Sequence, residues 1–380
     1  MGYREIRDVA ESNGEFEAWA LLARRLGSES TVSWPFTVGR SHVFCHLTPH
    51  LVGLIETAFR NELRNQTLWL PLSSQAKQHF HYGLVVREVV ATASLAGRSF
   101  NPKTVDDALV LGEDAQIPVG GLAQAYFELS QQKPGLKNPV QDLRGFFSEK
   151  GLVERFAEVS LPDPAIDDAL VEVADAAPAG HPSCSELITT AVVYFLLHRL
   201  LPEGSGQVTR LLSSGLLAAI FSPATALTFS QTVSSRREIH EVHLASANDE
   251  KNLGDLTPFI VGFVDVVVAA QEHIHEHLDR LTAQLGCITS LAISQKPTER
   301  ILFLVAQAAL CGNEWGITLE EATRFVARGP QQTRTYLTEL EKQNLVYRPR
   351  KRPQRFALDA LGWARLHDLG IGDAEPERHD

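Results

Sequence analysis

Cysteine is scarce in this chain: four in 380 residues, at Cys45, Cys184, Cys287 and Cys311, each standing alone. No C-x-x-C pair occurs, which excludes paired-cysteine metal and redox motifs and fits reduced thiols. A secretory leader is also missing, since Met1 to Glu15 is polar and carries acids, so a cytoplasmic protein is expected. Positive charge is in deficit: 35 Lys and Arg stand against 46 Asp and Glu, a formal net charge of −11. That balance excludes a protein that coats nucleic acid over its whole surface and leaves room for a local basic patch. Strand-like alternation is scarce before residue 340, with one short strand expected near residues 68–72, and no repeat is evident. No H-E-x-x-H motif occurs. The triple His273, His275, His277 has Ile274 where that motif needs glutamate, so a solvated helix face is expected there instead of a metal site. The uncharged stretch 211–229 contains serines, threonines and Pro223, and reads as a buried helix broken at Pro223, not a membrane span.

What the chain has in quantity is apolar spacing of helical period. It recurs over residues 16–26, 51–63, 80–95, 105–111, 119–129, 185–200, 207–220 and 256–285. A mainly α fold is expected. Pro-containing breaks at 133–139, 161–164 and 177–182 read as helix connectors, and Ser294-Gln295-Lys296-Pro297 as the clearest domain boundary. The expected division is an N-terminal helical region (1–69), a core (70–294), a C-terminal unit (295–368) and an acidic tail (369–380).

The run Glu203-Gly204-Ser205-Gly206-Gln207-Val208-Thr209-Arg210 follows a strongly apolar helix. Its glycines would let backbone N–H groups approach an anion, and the next helix would present its positive end. On its own such a run is usually just a turn. In context it resembles the signature of the Fic (Fido) family of nucleotidyl transferases, His-Pro-Phe-x-Asp/Glu-Gly-Asn-Gly-Arg-x-x-Arg. Phe195, His181-Pro182 and Gly254-Asp255-Leu256-Thr257-Pro258-Phe259 fall where the family has related features. Thr92-Ala93-Ser94-Leu95-Ala96-Gly97 resembles the family's inhibitory motif, Ser/Thr-x-x-x-Glu-Gly, so the resemblance spans about residues 70–285. It implies a Fic-like helical core in which Glu203 would hold Mg²⁺, and Gly204, Ser205, Gly206, Gln207 and Arg210 would face a nucleotide such as ATP. The departures weigh against chemistry. Arg199 occupies the slot of the catalytic histidine in the ungapped register, and arginine cannot accept a proton near neutral pH. His198 could serve only if the register shifts by one residue. Ser205 replaces the family's asparagine, Gln207 its first arginine and Ala96 its inhibitory glutamate. Losing the glutamate and that arginine together leaves no orphaned buried charge.

Residues 298–366 read as a winged helix-turn-helix domain, a common companion of this family. A helix over 298–309 is followed by a break at Cys311-Gly312-Asn313. Thr318 is placed to cap a second helix, with Glu320 and Glu321 suited to its first turn. Pro330 opens a third helix, and a two-stranded wing follows. The third helix offers Gln331, Gln332, Thr333 and Arg334, and the wing Arg348, Arg350, Lys351, Arg352 and Arg355, for DNA. Two functions follow. One is a DNA-binding regulator with a catalytically silent Fic-like core, expected as a homodimer by analogy with two-fold operators. The other is a divergent AMP transferase that modifies a protein hydroxyl with ATP and Mg²⁺, using His198 as base.

Overall fold

The computed structural model describes residues 3–111, 117–131, 182–200, 206–351 and 354–371. Helices α1 (Ile6–Asn13) and α2 (Glu15–Leu26) form a helical hairpin, and strands β1 (Thr31–Val38) and β2 (Ser41–His46) an antiparallel β-hairpin. The helical body follows: α3 (Pro49–Trp69), α4 (Ser74–Leu95), α5 (Pro102–Leu111), α6 (Gly120–Ser130), α7 (Pro182–Leu200) and α8 (Gly206–Ile220). It continues with α9 (Pro223–Ala226), α10 (Phe229–Ser235), α11 (Arg237–Asn248) and α12 (Thr257–Cys287). Short α13 (Thr289–Ala292) leads to α14 (Pro297–Leu310), β3 (Ile317–Thr318), α15 (Leu319–Val326), α16 (Pro330–Lys342), β4 (Val346–Lys351), β5 (Gln354–Leu358) and α17 (Ala360–Asp368). The protein is mainly α.

Two expectations fail in the N-terminal region. No strand forms at 68–72, because α3 runs through to Trp69, and the region is not wholly helical, because residues 31–46 form a hairpin. Trp34 and Val38 alternate inward along β1 while Ser33, Pro35 and Thr37 stay exposed. Pro35 hides this pattern from a sequence reading, since proline inside a run argues against a strand. The structure accommodates it with a register shift between Ser33 and Thr37.

Helix ends follow local chemistry. Thr48 and Ser73 accept from the N–H groups of Leu51 and Ala76 at the starts of α3 and α4, each at 3.1 Å. The uncharged stretch breaks as expected, with α8 ending at Ile220 and α9 starting at Pro223. Helix α12 is long and apolar enough to cross a membrane by length and composition. In this fold it is a core helix: Phe259, Phe263, Val267, Ile274, Leu278 and Leu281 are buried on one side, and it packs along Leu51, Ile55 and Ala58 of α3. Several polar groups on that seam are paired. Glu62 accepts from Thr225 (2.8 Å) and Gln271 (3.3 Å), and Asn65 donates to the Gln271 carbonyl (2.9 Å).

In the C-terminal unit the strands pair antiparallel in the order β3-β5-β4. Thr318 and Glu321 form a capping box: the Glu321 N–H donates to Thr318 Oγ1 (3.1 Å) and the Thr318 N–H to Glu321 Oε2 (2.6 Å). Pro330 stands at the first turn of α16. The three helices and the hairpin follow in the order the sequence implied, and the short strand β3 between the first two helices is an addition to it.

Candidate functional site

Of the run 203–210, the described residues begin at Gly206, so Glu203, Gly204 and Ser205 lie outside them. Gly206 opens α8, and a Cβ there would stand 2.9 Å from Nη1 of Arg210, too close for any other side chain without displacing the guanidinium. Arg210 is buried at 4% exposure. It donates from Nε to Thr92 Oγ1 (2.7 Å) and from Nη2 to the Thr92 carbonyl (2.8 Å). These bonds join two segments singled out separately in the sequence, 118 residues apart. Thr92 lies in the last turn of α4. Ala96 caps that helix half-buried, and exposed Gly97 ends it at φ +72° while the N–H of Arg98 returns to the Ala93 carbonyl. Gln207 is half-buried, and its Nε2 has no partner among the described residues.

The structure separates the two candidates for the base. Arg199 points outward, donates to Asn248 (3.2 Å) and lies over the ring of Phe195. His198 turns toward the interior against the ring of Tyr194, 5.2 Å between centroids. Burial first, and the charge of Arg210 second, lower its pKa to about 4, so the imidazole is neutral at pH 7. The Tyr194 hydroxyl meets His240 Nε2 at 3.0 Å. Burial, with His198 and Arg210 nearby, brings His240 to about 4 as well. Phe229, Phe259 and Phe263 surround Tyr194 and keep this group dry. Arg210, His198, Tyr194 and His240 therefore form one cationic, desolvated cluster with two neutral imidazoles. A neutral imidazole can accept a proton, and a buried guanidinium can hold an anion if Thr92 yields it.

A second buried acid, Glu88 of α4, was not picked out from the sequence. Its carboxyl accepts from the N–H groups of Ser230 (2.7 Å) and Gln231 (3.2 Å) at the start of α10, and burial raises its pKa to about 7. It caps a neighbouring helix. Among the described residues no group of three His, Cys, Asp or Glu is placed to hold a metal ion. His273 is exposed, but the solvated face expected for all three histidines is corrected at half-buried His275, whose Nδ1 meets Asn65 Oδ1 at 3.1 Å, and at His277. That ring packs on Phe80 at 4.8 Å, and burial lowers its pKa to about 3.

The residues proposed for DNA divide into two groups. On α16, Gln331, Gln332 and Arg334 are exposed, as are Thr335 and Thr338. Thr333 is corrected: it is fully buried and its hydroxyl donates to the Gly329 carbonyl (3.1 Å). The β4–β5 hairpin leans on α5. Arg350 pairs with Asp106 (3.5 Å) and with Asp107, and Arg355, 9% exposed, pairs with Asp106 (3.3 Å) and donates to the Tyr82 hydroxyl (3.4 Å). Tyr82 donates to Asp106 in turn. In this conformation Arg350 and Arg355 face the helical body and are not offered to a phosphate. Arg348 stays at the surface, paired with Glu341 (2.5 Å). Lys351 ends β4, and Arg352 lies outside the described residues. Asp106 and Asp107 give no sign of this role in sequence, where they are two acids on an ordinary amphipathic helix.

No family model matches the chain, and no curated protein matches it. Among solved structures it is similar to a Fic family protein from Desulfovibrio desulfuricans G20, at 14% identity and a TM-score of 0.45, over 86% of this chain and 98% of that one.

Proposed function

We propose that this chain is a DNA-binding regulator in which a winged-helix unit, residues 295–368, is attached to a Fic-like core that no longer transfers nucleotides. The observation that carries the reading is helix α16. It presents Gln331, Gln332, Arg334 and Thr338 to solvent from a unit holding twelve Lys and Arg against eight Asp and Glu, in a chain of net charge −11. Glutamine and arginine on an exposed helix suit base edges and phosphates in a major groove. The silent core is supported by the Arg210 donors already engaged by Thr92, by Arg199 facing outward, and by Gln207 standing where the resemblance expects an arginine. The test is fluorescence anisotropy with duplex DNA across a salt series. Binding is expected to weaken linearly with the logarithm of salt, and Arg334→Ala to reduce that slope by about 1. No binding at the lowest salt would sink the proposal.

A second reading is favoured by one observation: His198 is neutral and stands in the field of Arg210. In that reading the chain is an AMP transferase. Glu203 would hold Mg²⁺, Gly204, Ser205, Gly206 and Arg210 would hold ATP, and His198 would take the proton of a protein hydroxyl. Incubation with ATP labelled at the α-phosphate decides between the two. Transfer that His198→Ala abolishes makes the chain an enzyme, and silence leaves the regulator.

A further inference from the structure

Helix α2 carries two apolar stripes, and only one of them is used. Ala18 and Leu22 pack with Ile6, Val9 and Phe44, and Arg25 on the same side pairs with buried Asp255 at 2.6 Å. The helix is therefore held firmly. On its opposite side stand Phe16, Trp19 and Leu26, 82%, 55% and 49% exposed. Exposed Ala20 and Ala23 lie between them, giving the spacing i, i+3, i+4, i+7, i+10 of a single helix face. Large aromatics at this exposure, contiguous on a rigid element, mark a contact surface.

The charges beside the stripe indicate its occupant. At about 100° per residue, Glu17 and Arg24 fall on the same flank, two turns apart. Both are exposed, and neither has an ion pair among the described residues. When two identical helices pair antiparallel about a two-fold axis, like flanks meet. Glu17 of one copy then approaches Arg24 of the other, and symmetry closes the reciprocal pair. A parallel pairing would instead bring Glu17 to the opposite flank, which carries Glu15 and no exposed cation. We propose that α2 is a self-complementary dimer surface: a second copy of this chain docks antiparallel on Phe16, Trp19 and Leu26, with reciprocal Glu17–Arg24 pairs at its edge. One short helix is a small interface, so the association is expected in about the micromolar range.

The proposal stands independently of any DNA or nucleotide role, and the test uses the full chain. Sedimentation equilibrium across a concentration series is expected to show monomer and dimer. Trp19→Glu is expected to leave only monomer with an unchanged thermal melt, since its side chain is exposed. Glu17→Arg gives a chain with cations at both positions, and Arg24→Glu one with acids at both. Each alone is expected to dimerise about tenfold more weakly, because two pairs turn repulsive. Mixing the two variants is expected to restore association as a heterodimer. A parent chain monomeric throughout, a dimer indifferent to Trp19→Glu, or a mixture no tighter than either variant alone would each overturn the proposal.

Discussion

At the scale of the residue, Arg210 shows how a side chain suited to an anion can be engaged by its own protein. Its two bonds to Thr92 are buried and charge-assisted, so removing an acceptor leaves a donor unsatisfied instead of returning it to water. Thr92→Val, which keeps the shape and deletes the hydroxyl, is expected to cost about 1–3 kcal/mol in urea unfolding. Arg199→Ala, at an exposed position, should stay within about 0.5 kcal/mol. Equal effects from the two would refute the assignment of inward and outward roles. The sequence made part of this visible. Thr92 and Arg210 were singled out by separate motifs, but their contact depends on how α4 and α8 pack, which periodicity does not give. The choice of His198 over Arg199 as the inward residue is likewise a matter of helix phase at the end of α7, where one position rotates a side chain by about 100°.

At the scale of the element, the β4–β5 hairpin shows where residue type misleads. A run rich in arginine reads as a phosphate surface, but in the fold two of its arginines meet acids on α5. The cap and helix starts of the same unit were legible because capping is local: Thr318, Glu321 and Pro330 act within a few residues. The Arg350–Asp107 and Arg355–Asp106 pairs span 243 and 249 residues and have no local signal. Because Asp106 is 2% exposed and serves both arginines, Asp106→Asn is expected to cost about 3–5 kcal/mol by leaving buried positive charge short of a partner. Hydrogen exchange should then rise in β4 and β5. Arg348→Ala, which removes a surface pair, should cost less than about 1 kcal/mol. If the hairpin keeps its place when DNA binds, Arg350→Ala leaves DNA affinity unchanged while Arg334→Ala lowers it. A loss from Arg350→Ala matching that from Arg334→Ala would show that the hairpin leaves α5 to reach the duplex.

At the scale of the whole molecule, the buried imidazoles set how stability depends on pH. His81, His198 and His240 have pKa values near 4 and His277 near 3, each chiefly through burial, and His79 is lowered by the same cause. They are spread over α4, α7, α11 and α12, so the effect belongs to the fold and not to one site. In the unfolded chain each would titrate near 6.5. Between about 4 and 6.5 the unfolded state therefore binds more protons than the folded one, and stability must fall as the pH drops through that window. Glu88 acts in the opposite sense. Its folded pKa near 7 lies above the unfolded value, so its contribution is present at low pH and is lost as pH rises through 7. Asp106 and Asp255 are raised by burial and share that sign, though arginine partners offset the rise. Four histidines lowered this far outweigh one glutamate raised to about 7, so the urea midpoint should climb from pH 4.5 to about 7 and then level off. His277→Phe, which keeps the packing on Phe80, should remove part of the acid slope, and Glu88→Gln, which removes the opposing contribution, should steepen the climb between about pH 4.5 and 7. A midpoint that held steady or rose on acidification from 6.5 to 4.5 would mean that the histidines are charged in the folded protein, and the dry cluster around Arg210 would have to be redrawn.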